Sequence, residues 1–215
     1  MLAVEKDDAL AADLQVSFSA FENVKIIHAD ILSVEVEETL EQQVGSEARR
    51  ERVSIVANLP YNISTPVIRK ILPLGDVVSR VLILVQDEFA RRVTDAKPGE
   101  SQYRELTIFA QFFAKTSYEF KVANTCFVPP PKVQSALLSM ELKPRSEWPL
   151  DAPADFFRFV RISFSSRRKQ IKNNLKPFFD QTKVSSALER IGMPATSRPE
   201  NLELHHFVEL YKLLG

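Results

Sequence analysis

The stretch "VSIVANLPYNIS", Val53 to Ser64, sets an apolar run directly before an amide, a Leu-Pro step and an aromatic ring. The run is short and rich in β-branched residues, so it reads as a buried strand ending at Asn58. Pro60 fixes its own φ and removes a backbone donor, which stiffens the turn that follows. Similar runs lie on either side: "MLAVE" from Met1, "VKIIHAD" from Val24 and "RVLILVQ" from Arg80. Helix-like stretches separate them: a polar one after Glu5, an acidic one after Asp30, one near Pro66 to Leu72 and one from Asp87. Strands that are apolar on both faces and alternate with helices predict a parallel sheet wrapped on both sides, the α/β class.

From Leu106 the texture changes. "LTIFAQFFA" and "SYEFKVA" are rich in aromatics, and with "SALLSMEL" they read as strands that end the sheet. "KPRSEWPLDAP", Lys143 to Pro153, is polar and punctuated by proline, which makes it the candidate linker. Helices alone are predicted after it, giving a sheet domain over 1–143 and a small all-helical domain over 144–215. The first of those helices carries Phe157, Val160, Phe164, Ile171 and Leu175 on one face, and Arg161, Arg168, Lys172 and Lys176 on another.

With 215 residues, 45% of them hydrophobic, the chain can bury a sizeable core. Its apolar runs fall far short of the roughly 20 residues of a membrane span, so no membrane partner is expected. The first ten residues have neither a signal-peptide nor a transit-peptide composition. Cys126 is the single cysteine, which excludes an internal disulfide; it reads as a small buried apolar residue. His28, His205 and His206 have no partner at zinc-ligand spacing, and no metal site is expected. Net charge is zero, yet residues 1–51 hold 12 acids against 4 bases, while Arg158 to Phe179 hold seven bases and no acid. That basic run is where a polyanion would dock, although a solvated helix face is the plainer reading.

Ligands of open parallel sheets sit at the carboxyl ends of the strands, which here are Glu5, Asp30, Asn58 to Tyr61 and Gln86. Glu5 is suited to ribose hydroxyls and Asp30 to the amino group of a cofactor's adenine; each also reads as a surface carboxylate beside a turn. The Asn58 amide oxygen and the Leu59 carbonyl can accept the two hydrogens of an adenine N6, localising its lone pair for attack on a methyl group. Pro60 aims them, and Tyr61 can stack on the extruded base. In "CFVPPPKVQS" the consecutive prolines can hold Phe127 at the lip of the cleft, over the other face of that base.

The ordered set "AVEKDDAL", "VKIIHADIL", "VANLPYNIS", "LVQDEFARRV", "FVPPPKVQSA", "FSSRRKQIKNNL" and "SRPENLEL" resembles the ribosomal RNA adenine dimethyltransferase family of the KsgA type, related to the Erm resistance methyltransferases. The resemblance covers essentially the whole chain. It implies a Rossmann-like class I methyltransferase sheet followed by a small helical domain, with S-adenosylmethionine (S-adenosyl-L-methionine) as donor. It further implies, as substrate, two adjacent adenosines near the 3′ end of small-subunit rRNA, dimethylated at N6 during ribosome biogenesis. By matching position, Glu5, Asp30 and Asn58 hold the donor. Asn58, Leu59, Pro60, Tyr61 and Phe127 form the catalytic grip, and Arg167, Arg168, Lys169, Lys172 and Lys176 meet RNA phosphates. A monomer acting on the pre-ribosomal small subunit is expected, with a catalytically inactive rRNA-binding assembly factor as the alternative.

One departure is large. The family's first strand and its glycine-rich donor loop have no counterpart, and none of the five glycines precedes Glu5. The resemblance places the missing strand between those ending at Glu5 and Asn58, so two interior edges should stand unpaired unless the neighbours pair directly. The sheet is therefore expected to be N-terminally truncated, with Met1 an internal methionine of a longer protein. "LPLGDVVSRVLILVQDE" and "PATSRPENLEL" resemble the plastid branch, which implies the chloroplast, with mitochondrion or cytoplasm as alternatives.

Overall fold

The computed structural model describes residues 1–44 and 51–215. β1 (Leu2–Glu5) and β2 (Lys25–His28) form a parallel pair in register from Leu2 opposite Lys25 to Glu5 opposite His28. β3 (Val53–Asn58), β4 (Val78–Gln86), β5 (Ala114–Val122) and β6 (Ser135–Leu142) form a second sheet in the order β3-β4-β6-β5. β3 and β4 run parallel, while β6 is antiparallel to both of its neighbours. The sheet is therefore mixed rather than wholly parallel, because β5 returns to β6 without the helical crossover that a parallel pair needs. Among the described residues β1 and β3 do not pair with each other, and each has a single paired neighbour.

Helices α1 (Asp8–Ser17), α2 (Val36–Val44), α3 (Ser64–Ile71), α4 (Asp87–Thr94) and α5 (Glu105–Phe113) lie between the strands. Asp7 caps α1 by accepting the backbone N–H groups of Ala9 and Leu10, each at 3.0 Å. The main core joins Val81, Ile83 and Val85 of β4 and Leu138 and Met140 of β6 to Val67, Ile68 and Ile71 of α3, Phe89 and Val93 of α4, and Ile108 and Phe112 of α5. Burying side chains of this size contributes about 1.5 to 3 kcal/mol each. On the other face of the same sheet, among the described residues, Val56 is 76% and Phe120 57% exposed. Among the described residues β3 alternates between half-buried and exposed positions.

"LTIFAQFFA" is a helix, not a strand. Seven of the nine residues of α5 are buried, and a short apolar run enclosed on all sides carries no period by which to tell the two apart. Its start is fixed by Thr107, whose hydroxyl accepts from the Arg104 N–H at 3.2 Å and donates to the Arg92 carbonyl at 2.9 Å. At its end the Lys143 ammonium donates to the Gln111 carbonyl at 2.7 Å, satisfying an orphan acceptor of the last turn.

The C-terminal helices are α6 (Pro153–Ser163), α7 (Ile171–Leu175), α8 (Gln181–Arg190) and α9 (Leu204–Leu214). The single helix expected through Phe157 and Leu175 is broken into α6 and α7. The break is held by Asn174, whose side-chain amide donates to the carbonyls of Ser163 at 2.6 Å and Ser166 at 2.9 Å. The core continues from the sheet into these helices through Phe109, Phe112, Phe113, Phe156 and Phe157, with ring centroids 4.7 to 5.6 Å apart. Lys143 to Pro153 is not loose: Trp148 sits 4.9 Å from the Phe113 ring and donates to the Lys143 carbonyl. A side chain at Gly75 would stand 1.9 Å from that same carbonyl oxygen, so the close approach of the two segments requires glycine. Cys126, expected to be buried, is exposed in the turn before the proline segment, since its apolar neighbours belong to a loop rather than a strand.

Candidate active site

The parallel strands bring Glu5, Asp30 and Asn58 to the carboxyl ends of β1, β2 and β3, the end at which ligands bind in such sheets. Glu5 Oε1 accepts the backbone N–H groups of Lys6 at 2.7 Å and Asp7 at 2.8 Å. Asp30 lies two residues past β2. Its Oδ2 takes the Lys6 ammonium at 2.8 Å and its Oδ1 the Leu32 N–H at 2.9 Å. These bonds, the Lys6 one foremost, hold the Asp30 carboxyl below the usual carboxylate range. Lys6 therefore reaches from the end of β1 to the carboxylate beyond β2, and sequence reasoning had not assigned it a role. Each carboxylate retains acceptor capacity, so the pair fits the hydroxyl and amino donors of a nucleoside. A backbone loop for the methionine part of S-adenosylmethionine is not among the described residues.

Asn58 is exposed, and its side-chain amide has no hydrogen-bond partner among the described residues. Leu59, next in the chain, is 9% exposed and packs into the core, which leaves its backbone as the polar part available there. Pro60 leads into a 3₁₀ turn, Tyr61 to Ile63, closed by the Ile63 N–H donating to the Pro60 carbonyl at 3.1 Å. Tyr61 is half-buried, and its hydroxyl lies 2.7 Å from the Ser135 hydroxyl. Ser135 is the first residue of β6, wholly buried and in register with Gln86 at the carboxyl end of β4. The ring of Tyr61 is thus anchored at its far end to the middle of the sheet.

The proline segment leads into Gln134 and Ser135 at the start of β6. Phe127 is half-buried, and its N–H donates to the Asn124 carbonyl at 3.2 Å. Asn124 is clasped by Gln134: its N–H donates to Gln134 Oε1 at 3.2 Å, and its side-chain amide donates to the Pro131 carbonyl at 3.2 Å. The Gln134 carbonyl in turn accepts the Asp87 N–H at 3.0 Å. Beside it Asp87 accepts the Tyr118 hydroxyl at 2.5 Å, and this bond holds the Asp87 carboxyl below its ordinary range. Asn124, Gln134, Ser135, Asp87 and Tyr118 were not singled out from sequence, because each acts through a partner distant in the chain.

Of the basic set, Arg168, Lys169 and Lys176 are exposed and Lys172 is half-buried, together with exposed Arg158 and Arg161 on α6. Arg167 is tied differently: its Nη2 pairs with Glu200 at 3.0 Å. The exposed ring of Phe178 follows Lys176 by two residues. A cleft of about 940 Å³ lies elsewhere, lined by Ala96, Lys97, Tyr103, Glu203 and Lys212, away from the strand ends. No helix of the described residues is long and apolar enough to cross a membrane.

A sequence model described as Ribosomal RNA adenine dimethylase matches residues 1–214. The ribosomal RNA small subunit methyltransferase A of Protochlamydia amoebophila is 40% identical over 212 residues, covering 98% of this chain and 72% of that protein. The chloroplastic ribosomal RNA small subunit methyltransferase of Arabidopsis thaliana is 32% identical over 220 residues, covering 100% of this chain and 64% of that protein. Among solved structures, a dimethyladenosine transferase from Plasmodium falciparum superposes with a TM-score of 0.75 at 23% identity, covering 97% of this chain and 79% of that one. The 23S rRNA methyltransferase ErmE superposes with a TM-score of 0.69 at 22% identity, covering 99% and 81%. Both likenesses show the Rossmann-like methyltransferase fold with a helical C-terminal part.

Proposed function

This chain belongs to the ribosomal RNA adenine dimethylase family, and from that membership we propose that it dimethylates N6 of two adjacent adenosines near the 3′ end of small-subunit rRNA. The observation that carries the reading is the free, exposed amide of Asn58 at the end of β3, beside a proline-fixed turn whose tyrosine is anchored at its hydroxyl. Asn58 Oδ1 and the Leu59 carbonyl each accept one amino hydrogen of the target, which draws N6 toward tetrahedral geometry and leaves its lone pair free to attack. Once the first methylation is completed by loss of one N6 proton to water, one hydrogen remains for one acceptor, so the same grip serves the second. Tyr61 and Phe127 hold the extruded base between their rings.

Glu5, Asp30 and Asn58 would hold S-adenosylmethionine, Glu5 at its ribose and Asp30 at its adenine. When bound, that donor supplies an electrophilic methyl group. The sheet domain spans 1–143 and the RNA-contacting helical domain 144–215, where Arg168, Lys169, Lys172 and Lys176 meet phosphates and Arg167 joins them from its Glu200 pair. The protein acts as a monomer on the pre-ribosomal small subunit. The chloroplastic relative supports a plastid setting.

Transfer of labelled methyl groups from S-adenosylmethionine to small-subunit RNA tests the reading. Asn58→Ala is expected to lower transfer by about two orders of magnitude, the weight of one positioned polar group at a reacting centre, while RNA affinity stays near that of the unchanged chain. Full activity in that variant would refute the amine grip.

A further inference from the structure

Both aromatic platforms of the proposed site are tied to one dipeptide. Ser135, fully buried at the head of β6, meets the Tyr61 hydroxyl at 2.7 Å across 74 positions of sequence. Its neighbour Gln134 clasps Asn124 by two amide contacts, at 3.2 and 3.4 Å, and Asn124 accepts the N–H of Phe127. The dipeptide is itself fixed: Ser135 pairs in register with Gln86 of β4 and Val122 of β5, and the Gln134 carbonyl takes the Asp87 N–H. We infer that Gln134 and Ser135 are positioning residues that set Tyr61 and Phe127 relative to each other, so that an adenine entering between the rings meets a gap already formed.

The physical reason lies in the freedom of a phenol ring. A half-buried tyrosine held only by packing can swing about its first two side-chain torsions, and each swing widens or closes a stacking gap. A hydroxyl bonded to a buried partner on a central strand removes that swing before the base arrives, so the ordering cost is not met at binding. Ser135 touches neither base nor donor in this arrangement. It acts through Tyr61 alone, as Gln134 acts through Asn124 on the loop of Phe127.

The inference rests on the base-clamp reading given above, and the experiment separates the two. A short RNA with two adjacent adenines, one replaced by 2-aminopurine, is bound to the chain, and acrylamide quenching reports how far the base is shielded between the rings. The unchanged chain is expected to shield the base. Ser135→Ala and Tyr61→Phe should each raise quenching about fivefold, the weight of one neutral hydrogen bond. The double variant should be no worse than either single one, because both remove the same bond. Ser135→Thr, which keeps a hydroxyl, should restore shielding, a rescue that general loss of packing would not show. RNA affinity, carried mainly by the basic patch, should move little in Ser135→Ala. If Ser135→Ala does not fold, as judged by circular dichroism, Tyr61→Phe decides alone, since it removes only the hydroxyl. Shielding in the unchanged chain that is untouched by these variants, or effects that simply add, would overturn the positioning role while leaving the clamp intact. No shielding in the unchanged chain would overturn both.

Discussion

Asp87 stands where β4 passes into α4, and three bonds meet on its carboxylate and its N–H. The Tyr118 hydroxyl donates to one oxygen at 2.5 Å and the Arg91 guanidinium to the other at 3.1 Å, while that guanidinium lies 4.7 Å over the Tyr118 ring. The cluster binds β5 to the start of α4, next to the Gln134 carbonyl that Asp87 caps. The Tyr118 bond is the largest cause of the lowered Asp87 pKa. A carboxyl whose pKa is depressed on folding stabilises above its unfolded range, and the benefit is lost as pH falls through the folded value. Tyr118→Phe is therefore expected to cost about 1.5 kcal/mol at neutral pH, with the penalty shrinking in acid; urea denaturation at both pH values measures it. An equal penalty at both would show that the bond does not depend on the charge. At this scale the end of β3 at Asn58 was legible in the sequence because a polar group after an apolar run marks a strand end. Ser135 and Tyr118 were not, since a serine or tyrosine in a strand reads the same whether or not its hydroxyl has a partner 74 or 31 positions away.

Elements were legible in proportion to the distinctness of their period. β1 to β4 and the helices after them could be read from alternation of apolar runs with polar stretches. α5 could not, because an element buried on every side has lost the polar face that would reveal a helical repeat. The break between α6 and α7 was hidden for another reason. Phe164 and Ile171 continue an apolar spacing across it, while the turn is made by the carbonyls of Ser163 and Ser166 reaching the Asn174 amide. The break displays the basic run on a turn as well as on helices: Arg168 and Lys169 lie in the turn, exposed, and Lys172 lies on α7. Groups that neutralise RNA phosphates release counterions, so affinity falls with salt in proportion to their number. Neutralising Arg168 and Lys169 together should lower the salt slope of RNA binding by about 1.5, measured by titration at several ionic strengths. An unchanged slope would remove this turn from the interface.

Across the whole molecule the described residues divide unevenly between two sheets. β4 and β6 carry Val81, Ile83, Val85, Leu138 and Met140 in a continuous core, whereas no residue of β1 or β2 is fully buried, and α1 buries Ala11 alone. The smaller sheet joins the rest through the segment after β2, where Leu40 enters the core and the Lys70 ammonium donates to the Leu32 carbonyl at 3.0 Å. Few apolar contacts and an unpaired edge mark a unit that opens before the global transition. The candidate donor carboxylates Glu5 and Asp30 lie on that weak unit, and the candidate base-gripping residues Asn58 and Tyr61, with Ser135 bonded to the latter, on the strong one. Native-state hydrogen exchange should therefore show β1 and β2 amides opening at a clearly lower free energy than those of β4 and β6. Saturating S-adenosylmethionine should raise protection in β1 and β2 selectively, because a ligand that binds only the closed form stabilises the unit that carries its contacts. Uniform protection across both sheets would show that the smaller one is held by more than its buried surface accounts for, and protection by the donor confined to β3 and β4 would move the donor site off Glu5 and Asp30.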